Sequence, residues 1–157
     1  MRLQATLFDK IRTIKTNNHH IEEVAMSVVE QYNGLQDKEK SYLKRRPHHS
    51  FAIKSATEKT YSETYNIFSR NGRNDASDAF RHCYWSALLA RDLGYANAQT
   101  FTNAHESSPD NPFMEKKMDL HNNEVGLQIG ARGGSDTSLS SACMGAFNGG
   151  ELMIIGK

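Results

Sequence analysis

Three short blocks between residues 75 and 126 carry the side chains that could do chemistry. The first runs from Asp75 to Trp85 and continues to Leu89. Asp75, Asp78, His82, Trp85 and Leu89 follow three/four spacing and so line one stripe of a helix. The polar members come first, so the stripe faces a polar cavity at one end and the core at the other. Ala79, Phe80, Cys83, Tyr84, Ala87 and Leu88 fill most of the remaining circumference. A helix apolar nearly all round is buried, and a buried ionisable group needs a partner. The second block, Ala104-His105-Glu106, ends a helix before a polar loop. There an imidazole and a carboxylate can reach a cavity without supporting the helix interior, which suits proton transfer or metal ligation. Pro109 stands four residues after His105, so this is not the HExxH pattern of a zincin. The third block spans Met118 to Gly126. Asp119 lies one turn from both Asn122 and Asn123, and Asn122 shares the apolar face of Met118, Val125 and Ile129. An inward amide is costly unless hydrogen-bonded, so either asparagine is expected to orient a histidine, a water or a substrate group. Gly126 would admit a close backbone.

Taken singly, each block has a structural explanation: a cap, a histidine donating to a carbonyl, a polar network tying helices together. Taken together, they resemble the way bundles build sites from facing helices. His82, His105, Glu106 and Asp119 are expected to be the acid–base groups. Arg81 would hold an anionic substrate group or a transition-state charge. Asp78, Asn122 and Asn123 would orient the site. His82, His105, Glu106 and Asp119 also form the candidate ligand set for a divalent metal such as zinc, manganese or iron. Without a metal, imidazole and carboxylate still suffice for acid–base hydrolysis.

The elements that must position these groups are helical. Leu3, Leu7, Ile11 and Ile14 predict a helix over 2–15, and Ile21 to Tyr32 a second, closed by Asn33-Gly34. Further helices are predicted at 37–45, ended before Pro47, and at 51–68, where Thr57, Thr60 and Thr64 weaken the pattern. Asn74 is expected to cap a helix over 75–93 that Gly94 ends. Helices over 95–106, 113–130 and 138–147 follow, and the tail from Glu151 to Ile155 is a short strand or a packed extended end. The expectation is an all-α bundle with at most one short β element at the C-terminus. It forms one domain over 1–157, with a helical part at 1–70 and a motif-bearing core at 72–130.

At 157 residues the chain can bury a real core without staples. No apolar run reaches the roughly 18–20 residues that span a bilayer. The first residues mix charge among apolar positions and lack a secretory h-region, so a cytoplasmic origin without a cleaved signal peptide is expected. Cys83 and Cys143, far apart and without CxxC spacing, are expected to be reduced packing residues. The net charge of +1 makes nucleic acid an unlikely partner. The basic run Lys44-Arg45-Arg46 reads as a solvated loop, with a phosphate-binding patch as its alternative.

The blocks Asp78-Ala-Phe-Arg81-His82-Cys-Tyr-Trp85, His105-Glu106 and Asp119-Leu-His-Asn122-Asn123-Glu-Val-Gly126 resemble, in order, a bacterial family. It is known mainly as a domain of unknown function in secreted, wall-associated and polymorphic-toxin proteins. The resemblance covers about residues 72–130, and His121 falls at a variable position. It implies an exported effector or toxin tip, a dedicated secretion apparatus and an immunity partner, and supplies no reaction. The leading expectation is therefore a secreted toxin enzyme, a hydrolase with or without a metal. A binding module with a purely structural polar network is the first alternative. A nuclease is the second, although no HNH or colicin-type pattern is present. The absence of GxSxG argues against a serine lipase of that kind.

Overall fold

The computed structural model describes residues 32–156. The chain divides into two compact units, residues 1–35 and 36–157. The helices expected at 2–15 and 21–32 lie outside the described residues, apart from a final turn at Tyr32 whose carbonyl accepts the Leu35 N–H. The second unit is all-α. Its six helices are α1 (Asp37–Arg45), α2 (Ser50–Phe68), α3 (Ala76–Leu93), α4 (Tyr95–His105), α5 (Phe113–Gly130) and α6 (Asp136–Asn148).

Local chemistry sets most of these bounds. Gln36 and Glu39 form a capping box at the start of α1, and Pro47 opens a single 3-10 turn after it. The α3 cap falls one residue later than expected. Asp75, not Asn74, accepts the Asp78 N–H at 3.1 Å. Asn74 instead adopts a left-handed backbone and donates its N–H to Asp78 Oδ2 at 2.5 Å. The threonines do not break α2, because the core takes them. Thr60 and Thr64 are buried, and the Thr57 hydroxyl donates to the Ile53 carbonyl while accepting from Trp85 Nε1.

Helix α3 is the centre of the bundle and packs against α2, α4, α5 and α6. Phe80, Leu88 and Leu89 on it meet Phe101 of α4, Met118 and Leu127 of α5 and Leu139 of α6 in one buried cluster. The approach of α5 to α3 is unusually close. A Cβ on Gly126 would fall on the Cys83 carbonyl oxygen, and one on Gly130 on that of Ala87. These two glycines, four apart on one face, bring Asp119 and Asn123 within reach of His82. Cys83 and Cys143 meet across α3 and α6 as free thiols, with sulfurs 3.0 Å apart. Their mutual contact and then burial push the Cys83 thiol far up, which keeps it unreactive.

The C-terminal tail forms no strand; no strand occurs among the described residues. Its backbone is held by side chains instead. The Asn122 amide donates to the Met153 carbonyl at 2.9 Å and accepts the Met153 N–H at 2.8 Å. His121 Nε2 donates to the Glu151 carbonyl at 2.8 Å, and Leu152 is buried. A helix side chain can satisfy one peptide but cannot continue a ladder, so no strand forms, and the end is tied down further on by the Gly156 N–H, which donates to the Asn74 carbonyl at 2.7 Å.

Trp85 is 8% exposed, tilts against Phe101 and donates to Thr57. Trp85→Ala is expected to cost roughly 3–5 kcal/mol, as large-to-small core changes do. Urea denaturation of the two proteins measures it, and a cost under about 1 kcal/mol would contradict the packing.

Candidate active site

A cleft of about 410 Å³ opens where α3, α5 and the end of α4 meet, and its lining is polar. Asp78, Arg81 and His82 enter from α3, His105 and Glu106 from the end of α4, and Asp119 from α5. His82 and His105 thus line the same cleft.

His82 is the centre of the arrangement. Its Nδ1 faces Asn123 Oδ1 at 3.3 Å and Glu106 Oε1 at 3.6 Å. Its Nε2 lies 3.4 Å from Asp78 Oδ1 and 3.4 Å from Asp119 Oδ1. The Asn123 amide fixes which ring nitrogen carries the proton. Its Nδ2 donates to Glu106 Oε1 at 3.3 Å, and its Oδ1 already accepts from Ser86 Oγ at 2.9 Å. A carboxylate only accepts, so the amide oxygen must face His82, and Nδ1 must donate to it. Nε2 is then the nitrogen presented to the two aspartates.

Burial would disfavour a charged imidazole here. The Asp78 contact and the charges of Asp119, Glu106 and Asp78 outweigh it and raise the His82 pKa. Burial would likewise raise Asp78, but His82, the Asn74 N–H and the Arg81 charge hold it below the usual carboxylate range. Asp119 has no such donors. Burial, together with the charges of Glu106 and Asp78 and against that of His82, pushes it up to about 6. Two neighbouring carboxylates of opposite shift are a common feature of acid–base sites.

A second imidazole–carboxylate pair stands beside the first. His105 Nδ1 meets Glu39 Oε1 at 2.9 Å. Burial disfavours the His105 cation, but the Glu39 hydrogen bond and the charges of Glu106, Glu39 and Asp119 raise its pKa. Glu39 is buried, and its other oxygen accepts the Gln36 N–H at 2.6 Å. It lies outside the 72–130 block and was missed by sequence reasoning. The Gln36-x-x-Glu39 capping pattern was visible, but it explains the carboxylate as a cap and hides its second partner. Ser86 and Asn111, which hold Asn123 and Glu106 respectively, also carried no signal.

Three expected roles change. Asn122 is buried away from the cleft and serves the tail, because successive helix residues differ by about 100°, which turns Asn122 toward Met153 and Asn123 toward His82. Arg81 lines the cleft, but its guanidinium is committed to an ion pair with Asp78 and a 3.0 Å bond to the Gly72 carbonyl, over the Tyr61 ring. It positions Asp78 rather than standing free for an anion. Glu106 is 3% exposed and bonded to both Asn123 and Asn111, so it is no freely deletable rim group. His105, with 46% of its side chain exposed, stands at the rim but partners the buried Glu39.

The metal set also shifts. Asp78, His82 and Asp119 offer donor atoms that lie within 4.8 Å of one another. Glu106 sits on the Nδ1 side of His82 and His105 is tied to Glu39, so neither belongs with that trio. None of Lys44, Arg45 and Arg46 lines the cleft; the first two are exposed, and Arg46 stacks over Tyr42.

No solved structure matches the chain. A family model does, over residues 40–148, which takes in α2 to α6, most of α1 and Asp78, Arg81, His82, His105, Glu106 and Asp119, but not Gln36, which also lines the cleft, or Glu39. The chain therefore belongs to the family described as a domain of unknown function, DUF6973.

Proposed function

We propose that this protein is an exported bacterial effector of toxin type and that its cleft is the active site of a hydrolase. The observation that carries the reading is the pair of imidazoles, His82 and His105, each braced by carboxylates and both opening on one cleft. A histidine oriented through Nδ1 by a buried carboxylate has its other nitrogen available for proton transfer. His105 with Glu39 is that pair. It takes a proton from the attacking water and returns it to the leaving group. His82, Asp78 and Asp119 form the charged centre beside it, with Arg81 and Asn123 as the residues that position them. An immunity protein would neutralise such a domain by covering the cleft. Delivery by a dedicated secretion apparatus is part of this reading; no helix among the described residues is long and apolar enough to cross a membrane.

A binding module is the second reading. It is favoured by Arg81 and Asn122, whose hydrogen bonds hold the fold rather than serve the cleft. Growth after induced expression, in the cytoplasm and with an added export signal in the periplasm, separates the two. Wild type is expected to arrest growth in one compartment, and His105→Ala to release it. The His105 side chain is 46% exposed, but its removal leaves the buried Glu39 carboxylate without that partner, so it should cost about 1–3 kcal/mol in stability and on the order of a hundredfold in rate. A folded His105→Ala protein as toxic as wild type would remove His105 from the chemistry. A wild type harmless in both compartments would leave the toxin reading unsupported.

A further inference from the structure

We propose that Asp78, His82 and Asp119 are the three protein ligands of a tetrahedral zinc ion whose fourth position opens on the cleft. The inference deepens the hydrolase reading above, which it needs only for what the ion would do there; the binding itself stands on geometry.

The first ground is the tautomer. Asn123 and Glu106 take the Nδ1 side of His82, so Nε2 is the ligating nitrogen. A metal-bound histidine characteristically donates its other N–H to an amide or carboxylate behind it, which fixes the ring and raises its basicity. Asn123, itself held by Ser86 and Glu106, is that support.

The second ground is spacing. Nε2 stands 3.4 Å from one oxygen of each aspartate. That is longer than the roughly 2.7–3.2 Å of an N–H···O hydrogen bond. It matches the edge of a tetrahedron, about 3.3–3.4 Å, built on metal–ligand bonds of about 2.0–2.1 Å. The two aspartate oxygens complete the triangle, all three donors lying within 4.8 Å of one another, and an imidazole nitrogen among them favours zinc over magnesium, which takes oxygen ligands.

The third ground is an orphan. Asp119 Oδ1 is fully buried and accepts no hydrogen bond. A carboxylate oxygen out of water without a donor is costly, and a cation between it, Asp78 and Nε2 would satisfy it. Asp78 Oδ1 is shared with Arg81. A carboxylate oxygen has two lone pairs, and the ion pair takes one. Three protein ligands and an open fourth position are the pattern of catalytic rather than structural zinc. The bound water would be acidified toward neutrality and attack the scissile bond, with His105–Glu39 as the proton acceptor within the same cleft.

The test is zinc binding by the full chain, purified without a histidine tag and stripped with chelator. Calorimetric titration with zinc chloride is expected to give about one tight ion per chain and, at saturating zinc, a melting temperature raised by roughly 5 °C or more. Cobalt(II) in its place should show the intense visible bands of a tetrahedral ion, and magnesium should not compete. Asp119→Asn keeps the shape of the side chain and removes its charge. It should remain folded by circular dichroism and weaken zinc binding on the order of a hundredfold, as should His82→Gln. The neighbouring pair His48-His49, of which only His48 is exposed, is untouched by either change, so ion lost in both variants belongs to the cleft. Absence of tight binding by wild type, or equal binding by folded Asp119→Asn, overturns the site. Zinc held by wild type and lost in both variants, in a protein that harms no cell, upholds the site while the hydrolase reading falls.

Discussion

Cells making the His82→Gln variant are expected to grow as though nothing had been induced, while the protein stays folded. His82 stands between three carboxylates, and 13% of its side chain is exposed. No other group in the cleft touches as many of the charged side chains. Whether its Nε2 carries a proton or a metal, removing it takes out the positive centre, and loss of such a group costs on the order of 10²–10⁴ in rate. Alanine is the poorer probe. It would leave Asp78, Asp119 and Glu106 facing a hole, and breaking a buried charged cluster by deleting one partner costs roughly 3–5 kcal/mol. Glutamine fills most of the space and can still donate to Asn123 Oδ1. The two variants therefore separate chemistry from structure. Growth arrest by folded His82→Gln at wild-type strength would show that His82 only braces the fold. Unfolding of both variants would point the same way.

A large stability effect away from the cleft and the aromatic core is expected from a single added methyl group. Gly126→Ala should destabilise the protein by about 3 kcal/mol, near the upper end of overpacking costs. That is a fall of roughly 10 °C in melting temperature. By helix propensity alone the change should help by about 1 kcal/mol. The added Cβ, however, lands on the Cys83 carbonyl oxygen, which is backbone of the central helix and cannot rotate aside. Helix α5 would have to lift away from α3, loosening Met118 and Leu127 from the core and moving Asp119 and Asn123 away from His82. Gly145 supplies the control. It lies on the exposed side of α6 with nothing within 4 Å of an added Cβ. Gly145→Ala should therefore raise stability by about 0.5–1 kcal/mol, the propensity gain alone. Thermal unfolding of both variants reads the contrast. Equal and favourable shifts would mean that α3 and α5 do not approach at these glycines.

Within single helices, the sequence was sufficient. Apolar periodicity and punctuation placed all six helix bodies to within a residue or two, from Pro47 ending α1 to Gly94 ending α3. They also placed Asp78, His82 and Trp85 on one stripe, because the rotation per residue is fixed by the backbone hydrogen bonds. What faces what across helices was not legible. The threonines of α2 looked like a weakness until the core took Thr60 and Thr64. Asn122 and Asn123 looked interchangeable, and a rotation of one residue gives the first to the tail and the second to His82. Glu39 did not stand out within its short helix, and meets an imidazole 66 residues away. Cys83 and Cys143 looked remote and touch. Local pattern fixes which side of a helix is buried, since that depends on burial alone. The partner of each buried polar group depends on how closely and in what register the helices pack. Here that is settled by long-range contacts such as the seating of Gly126 and Gly130 on the backbone of α3, which only the folded chain can make.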